Sequence, residues 1–286
     1  MITKAVIPAA GYGTRFLPIT KSLPKELLPI IDRPTIEFIV NEAIQSGITD
    51  ILLIVSSNKN TIIDYFDYNI ELETILLTKE KIKEYETIRH VAEGANIHYI
   101  RQKEQLGLGH AVLQAKAFIG DEPFAVLLGD DIYMTKGTPV TKQLIDAHQS
   151  SGHSVLGTIR VNPEDTWKYG ICIPKGDPSG PLVPLAGVIE KPEPKNAPSR
   201  LAIGGRYVLD PAIFNYLENQ ERGFGGEIQL TDAIRRMMEA RPVDALEITG
   251  KRYDIGNKVD YIEAILDVGL DDPDIKDALK AMLKTK

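Results

Sequence analysis

Apolar and β-branched residues recur along the first half of the chain in short runs separated by turn signals. "TKAVIPA" (3–9), "DILLIV" (50–55), "NIHYIR" (96–101) and "PFAVLL" (123–128) are rich in strand formers and predict buried strands. Between the first two, Ile36, Ile39, Val40, Ala43 and Ile44 fall at helical spacing, with Pro34 and Thr35 at the start and Gly47 at the stop. The alternation continues through apolar positions in 107–119 and 140–150. This rhythm predicts an α/β fold with a Rossmann-like, mostly parallel (mixed) central sheet and helices on both faces.

After residue 150 the texture changes. "HSVLGTIRV", "YGICIP", "PLVPLAGVIEKP" and "LAIGGRYVLD" are strand-like, and Gly and Pro cluster in "PKGDPSGP" and "EKPEPKNAPS", which predicts longer loops. No flexible linker, internal repeat or low-complexity tract interrupts the chain, so one domain is expected over 1–286, with two functional halves (1–135 and 136–260) and a C-terminal helical segment (261–286). In that segment Ile275, Leu279, Met282 and Leu283 share one helical face, for packing on the same chain or for a subunit contact.

Composition narrows the function. The 286 residues are 43% hydrophobic and carry a net charge of -7, enough for a sizeable core and unfavourable for nucleic acid or anionic membrane, so a bound phosphate must meet locally placed cations. The single Cys172 excludes an intrachain disulfide, and no signal peptide or membrane-spanning apolar run is apparent. A soluble, cytoplasmic protein is expected.

The stretch "AVIPAAGYGTRFLPITKSLPKELLPI" (5–30) joins a buried strand to a glycine loop. A dinucleotide fingerprint would place its third glycine at position 16, where Phe16 stands, and the Gly-Lys-Ser/Thr of a P-loop is missing. What remains is Ala9, Ala10, Gly11 and Gly13, small residues that let backbone amides approach a ligand, followed by Arg15 and Lys25. Amides plus cations describe a polyphosphate site. Without those cations the loop would be an ordinary strand-to-helix turn.

"AAGYGTRFLPITKSLPKELLP" closely resembles the signature of the sugar-phosphate nucleotidylyltransferases. "RQKEQLGLGHAV" (101–112), "VLLGDDI" (126–132), "GEIQLTDAI" (226–234) and "RYDIGNKVDY" (252–261) are similar to the branch acting on UTP and glucose 1-phosphate. One departure, Arg200 in "APSRLAI" where the family has Asn, bears on the sugar pocket.

The resemblance implies Mg2+-dependent transfer of UMP from UTP to glucose 1-phosphate, giving UDP-glucose and pyrophosphate by direct attack at the α-phosphorus. Arg15 and Lys25 would neutralise the triphosphate, Lys191 would hold the sugar phosphate, and Asp130 with Asp254 would hold the metal. Ala9, Ala10, Gly11, Gly13, Glu26, Gln102, Gly107 and Asp131 would frame the nucleotide, and Tyr169, Gly170, Glu190, Gly204, Gly205 and Arg206 the sugar, in a smaller strand and loop region. A homo-oligomer, dimer or tetramer, is expected.

The residues support these roles in their own terms. Gln102 ends a strand at the ligand edge of an α/β sheet, its amide offers a donor and an acceptor to a uracil edge, and Gly107 would leave room for base or ribose. Two carboxylates after an apolar strand suit Mg2+, or cap a turn. Glu190 and Lys191 would diverge if the backbone there is extended. His110 would give a hydrogen bond behind the base or pack at a helix start, Trp167 would touch ligand or anchor a loop, and the other histidines and Cys172 are expected to be structural. A thymidylyltransferase and a non-catalytic nucleotide-sugar sensor are the alternatives; Phe16 disfavours a dehydrogenase.

Overall fold

The alternation of side chains along β1 (Lys4–Pro8) divides it between two cores, with Ala5 and Ile7 on one face, Val6 on the other, and all three fully buried. A strand covered on both faces has no polar face to show, hence its continuous apolar run. The computed structural model describes residues 1–176 and 180–285. Its other strands are β2 (Pro29–Ile30), β3 (Arg33–Pro34), β4 (Asp50–Val55), β5 (Asn96–Arg101), β6 (Phe124–Leu127) and β7 (Asp131–Met134). There follow β8 (Ser154–Arg160), β9 (Gly170–Pro174), β10 (Leu182–Glu190), β11 (Leu201–Leu209), β12 (Val243–Glu247) and β13 (Lys251–Asp254).

Nine of them form one sheet in the order β5-β4-β1-β6-β11-β8-β12-β10-β9. The first four strands are parallel, as the early helical crossovers require. Beyond β6 the sheet departs from the mostly parallel expectation. There β11 runs antiparallel to β6 and β8, and β10 to β9 and β12, with β8 and β12 the parallel pair. The seven residues between β9 and β10 are too few for a parallel crossover, which needs a dozen or more, so those two strands pair antiparallel.

Helix Thr35–Gln45 begins where Pro34 ends its extended backbone and buries Ile36, Ile39, Val40 and Ala43. With Val140, Leu144 and Ile145 of helix Val140–Ser151 it covers one face; Ala111, Val112, Ile213, Phe214, Leu230 and Ile234 cover the other. The 107–119 segment is broken into Leu108–Leu113 and Lys116–Ile119. At the C-terminus, Ile275 and Leu279 pack on Gly269 of helix Lys258–Asp271, whereas Met282 and Leu283 are exposed, so same-chain packing takes only part of that face. The Gly- and Pro-rich stretch 174–181 lies partly outside the described residues, at 177–179. Among the described residues no helix is long and apolar enough to cross a membrane.

Candidate active site

Because β5, β4, β1 and β6 are parallel, their carboxyl ends share one edge of the sheet, the edge where open α/β sheets bind ligands. The glycine loop leaves β1 there, Gln102 follows β5, and Asp130 and Asp131 follow β6. Asp254 arrives from the far end of the chain through a separate two-stranded ladder in which β13 pairs antiparallel with β7 and Asp254 stands opposite Asp131. The Ile255 amide donates to the Asp130 carbonyl at 2.8 Å, locking the two acidic stretches together.

The cations converge on these acids. Lys25 Nζ donates to Asp130 Oδ2, and the Arg15 guanidinium lies between the acids, 3.4 Å from Asp254 Oδ2 and 4.0 Å from Asp130 Oδ2. Burial alone would lower the Lys25 pKa, but the carboxylates of Asp130 and Glu26 more than offset it and raise the value. Burial likewise works to raise the pKa of Asp130, yet Lys25, Arg15 and Arg252 hold it below the ordinary carboxylate range. Both groups are therefore charged at neutral pH. The adjacent Asp131 differs. Its burial, only partly countered by Arg252 and reinforced by Asp130 and Asp254, pushes its pKa up.

These side chains open into a cleft of about 960 Å³, which Arg15, Asp130, Asp131 and Asp254 share with Tyr169, Gly170, Glu190 and Lys191. The structure thus joins the triphosphate side and the sugar side of the expected site. Glu190 and Lys191 do not diverge as an extended backbone would require. Lys191 has φ +45°, a left-handed conformation rare outside glycine, and its Nζ lies 3.5 Å from Glu190 Oε1 with both residues lining the cleft. The Thr231 hydroxyl donates to Glu190 Oε2 at 2.7 Å and orients it. Trp167 lines the same cleft and is 54% exposed.

Several expected residues have other duties. Arg206 is wholly buried: its guanidinium donates to Glu42 at 2.7–3.2 Å and to the Asp131 carbonyl at 2.7 Å, so it belongs to the fold and cannot touch a sugar. Gly204 and Gly205 do not line the cleft either; the Tyr133 hydroxyl donates to the Gly204 carbonyl at 2.6 Å, and Gly205, at φ +75°, gives way to the Asp131 carboxylate. Gly107 has φ +107°, and a Cβ there would meet Glu227 Cβ at 2.7 Å and the Ile228 carbonyl at 2.8 Å. Its small size thus serves contact with the protein's own "GEIQLTDAI" segment rather than room for a base. Glu26 is 1% exposed with its carboxylate committed to Lys59 Nζ at 2.7 and 2.9 Å, so it acts on the site through Lys25. Asp131 is engaged by Arg252, 2.5 Å away, without in-line geometry, which leaves Asp131 Oδ1 and Arg252 Nε buried with no hydrogen bond. Arg200, where the family has Asn, donates to the Val161 carbonyl at 2.8 Å and stays out of the cleft.

On the nucleotide side Ala9 and Ala10 are buried, Gly11 is open, and Gly13, at φ +66°, lets the loop close over Thr20 and Lys25. Gln102 is buried beside His110. Tyr12 reaches across to Gln105, its hydroxyl donating at 2.6 Å and tying the glycine loop to the 103–107 loop. Lys59, Arg252, Thr231 and Tyr12 escaped the sequence reading; the available signal was that Lys59 follows β4 and Arg252 precedes Asp254 at the same edge.

Two carboxylates set for hard cations, with a guanidinium already between them, fit Mg2+ if ligand oxygens complete the shell. Among the described residues no group of three or more His, Cys, Asp or Glu is arranged to hold a metal by itself.

Known proteins agree with this architecture. A UTP--glucose-1-phosphate uridylyltransferase of Staphylococcus epidermidis is 50% identical over 283 residues, covering 99% of this chain and 98% of its own. The solved structure of a UTP-bound UGPase from Acinetobacter baumannii superposes with a TM-score of 0.92 at 40% identity, covering 99% of both chains. A UDP-glucose pyrophosphorylase complexed with UDP-glucose matches with a TM-score of 0.83 at 40% identity, over 93% of this chain and 97% of that one. The nucleotidyl transferase family model spans residues 4–269, and with that match and these relatives the chain belongs to the nucleotidyl transferase family.

Proposed function

We propose that the protein transfers UMP from UTP to glucose 1-phosphate, yielding UDP-glucose and pyrophosphate. The observation that carries this reading is the single cleft in which Arg15 and the Lys25-paired Asp130 face Lys191 and Glu190. The relatives named for this reaction, and the neighbours whose structures hold UTP and UDP-glucose, support the substrate pair.

An oxygen of the sugar phosphate attacks the α-phosphorus as the bond to the bridging oxygen of the β-phosphate breaks. Pyrophosphate takes that electron pair. No side chain needs to become covalently attached: the buried Cys172 is held as a thiol, its pKa pushed up to about 12 by burial. Catalysis then rests on positioning and charge. Arg15 and Lys25 offset the negative charge of the triphosphate and of the departing pyrophosphate, and Lys191 brings in the nucleophile's phosphate against electrostatic repulsion. Asp130 and Asp254 would hold Mg2+, which when bound supplies further neutralisation of phosphate oxygens. Glu190, fixed by Thr231, accepts from sugar hydroxyls.

The test is pyrophosphate release across a matrix of nucleoside triphosphates and hexose 1-phosphates. UTP with glucose 1-phosphate should give the highest kcat/KM. Equal rates with other pairs would refute the substrate assignment, and UDP-glucose binding without pyrophosphate release would replace the enzyme with a sensor.

A further inference from the structure

Gln102 carries a question that its position alone does not answer. The two ends of a glutamine amide are alike in size and opposite in hydrogen bonding, so rotating the group by half a turn exchanges the atom offered to a ligand. Whatever pins the amide decides what it reads.

In this protein Gln102 Nε2 lies 2.8 Å from Nδ1 of His110 and 3.4 Å from the Gly107 carbonyl. The carbonyl can only accept, so Nε2 is the end turned inward. A neutral imidazole has one ring nitrogen with a lone pair, and two amide nitrogens lie beside this ring. Gln102 is the nearer, at 2.8 Å against 3.3 Å for Gln114 Nε2 to the other ring nitrogen, and Gln114 Nε2 is already satisfied by the His110 carbonyl at 3.1 Å. The contact between Gln102 Nε2 and the ring is satisfied in the tautomer in which Nδ1 accepts and Nε2 of the ring carries the hydrogen. Among the described residues nothing donates to Gln102 Oε1, and that atom is not one of the buried atoms left unpaired. It is the free end of the amide.

We propose that His110 is a positioning residue that fixes the Gln102 amide with its oxygen toward the nucleobase, and that this orientation makes the site select uracil over cytosine. The proposal rests on Gln102 being the residue that meets the base. A carbonyl-type oxygen there accepts from N3–H of uracil, whereas cytosine presents a lone pair at N3, so two acceptors would face each other. The Gly107 carbonyl backs up the lock, but at 3.4 Å it is the weaker partner.

The experiment measures kcat/KM for UTP and for CTP in wild type, Gln102→Ala, His110→Leu and His110→Asn. In His110→Leu the acceptor is gone and the amide can rotate, so the UTP:CTP ratio should fall by about tenfold, the worth of one hydrogen bond to a desolvated group. In His110→Asn a side-chain oxygen can again accept from Gln102, and most of the ratio should return. An undiminished ratio in His110→Leu, with Gln102→Ala abolishing it, would overturn the role of His110 and leave the base assignment standing. An undiminished ratio in Gln102→Ala would remove Gln102 from the base and the proposal with it. Should His110→Leu fail to fold, 15N shifts of the wild-type ring decide: the tautomer with hydrogen on Nε2 is expected, and hydrogen on Nδ1 would overturn the proposal.

Discussion

Arg206→Met separates a fold residue from a pocket residue. The guanidinium is 0% exposed and spans two elements, donating to Glu42 of helix Thr35–Gln45 from β11 and to the carbonyl of Asp131. Glu42 also accepts from the Thr141 amide at 3.0 Å and its hydroxyl at 2.6 Å, so this one carboxylate ties helix Thr35–Gln45 to the start of helix Val140–Ser151. Methionine fills a comparable volume, which keeps a cavity from confusing the result. What is lost is the partner of a buried carboxylate, a change that destabilises by about 3–5 kcal/mol. For a chain of this size each kcal/mol lowers Tm by roughly 2–3 °C, so a fall of about 6–15 °C is expected by calorimetry or circular dichroism. Adding Glu42→Gln removes the stranded charge while keeping an acceptor for Thr141, and the double variant should recover more than half of the loss. Below the transition the variant should keep its KM for glucose 1-phosphate. An unchanged Tm together with a KM raised tenfold would refute the assignment and return Arg206 to the sugar site.

Asp130→Asn and Asp254→Asn should each lower kcat by roughly a hundredfold, and the double variant should be far less impaired than the product of the singles, because both act on the same charge; near-normal steady-state turnover in either single variant would break the pairing. Lys191→Ala should raise KM for glucose 1-phosphate and lower kcat while UTP binding, measured by calorimetry, changes little. An equal loss of UTP binding would move Lys191 to the nucleotide or the fold. Cys172 should resist a thiol reagent in the native protein and react on unfolding. Its thiol ionises near 9.0 when unfolded but only near 12 when buried, so between those values the native state keeps a proton that the unfolded state gives up. Rising pH there should cost wild type stability relative to Cys172→Ala, by up to about 1.4 kcal/mol per pH unit, read from denaturant midpoints; identical pH profiles would contradict the burial argument.

Local pattern sufficed wherever a property depends on near neighbours in the chain. The continuous apolar runs of β1, β4 and β6, the helix from Thr35 to Gln45, and the small residues and cations around 9–25 are of this kind, since periodicity, breakers and loop chemistry act over a few residues. Parallel strands place the ends of β1, β5 and β6 on one edge, which is why Arg15, Gln102 and Asp130 are expected in one site; the structure brings Arg15 within 4.0 Å of Asp130. The tertiary structure decided what depends on distant partners. The antiparallel directions of β9, β10 and β11 are set by which strands the fold pairs, which the apolar pattern of each strand does not encode. Asp254 reaches Asp130 only because β13 pairs with β7 across more than a hundred residues. Arg206 and an exposed sugar-binding arginine read alike in sequence, and only Glu42, contributed by a distant helix, turns this one inward. The same holds for Gly107: a glycine's freedom is legible locally, but whether a ligand or the protein's own Glu227 fills the space beside it is set by which segment the fold brings there.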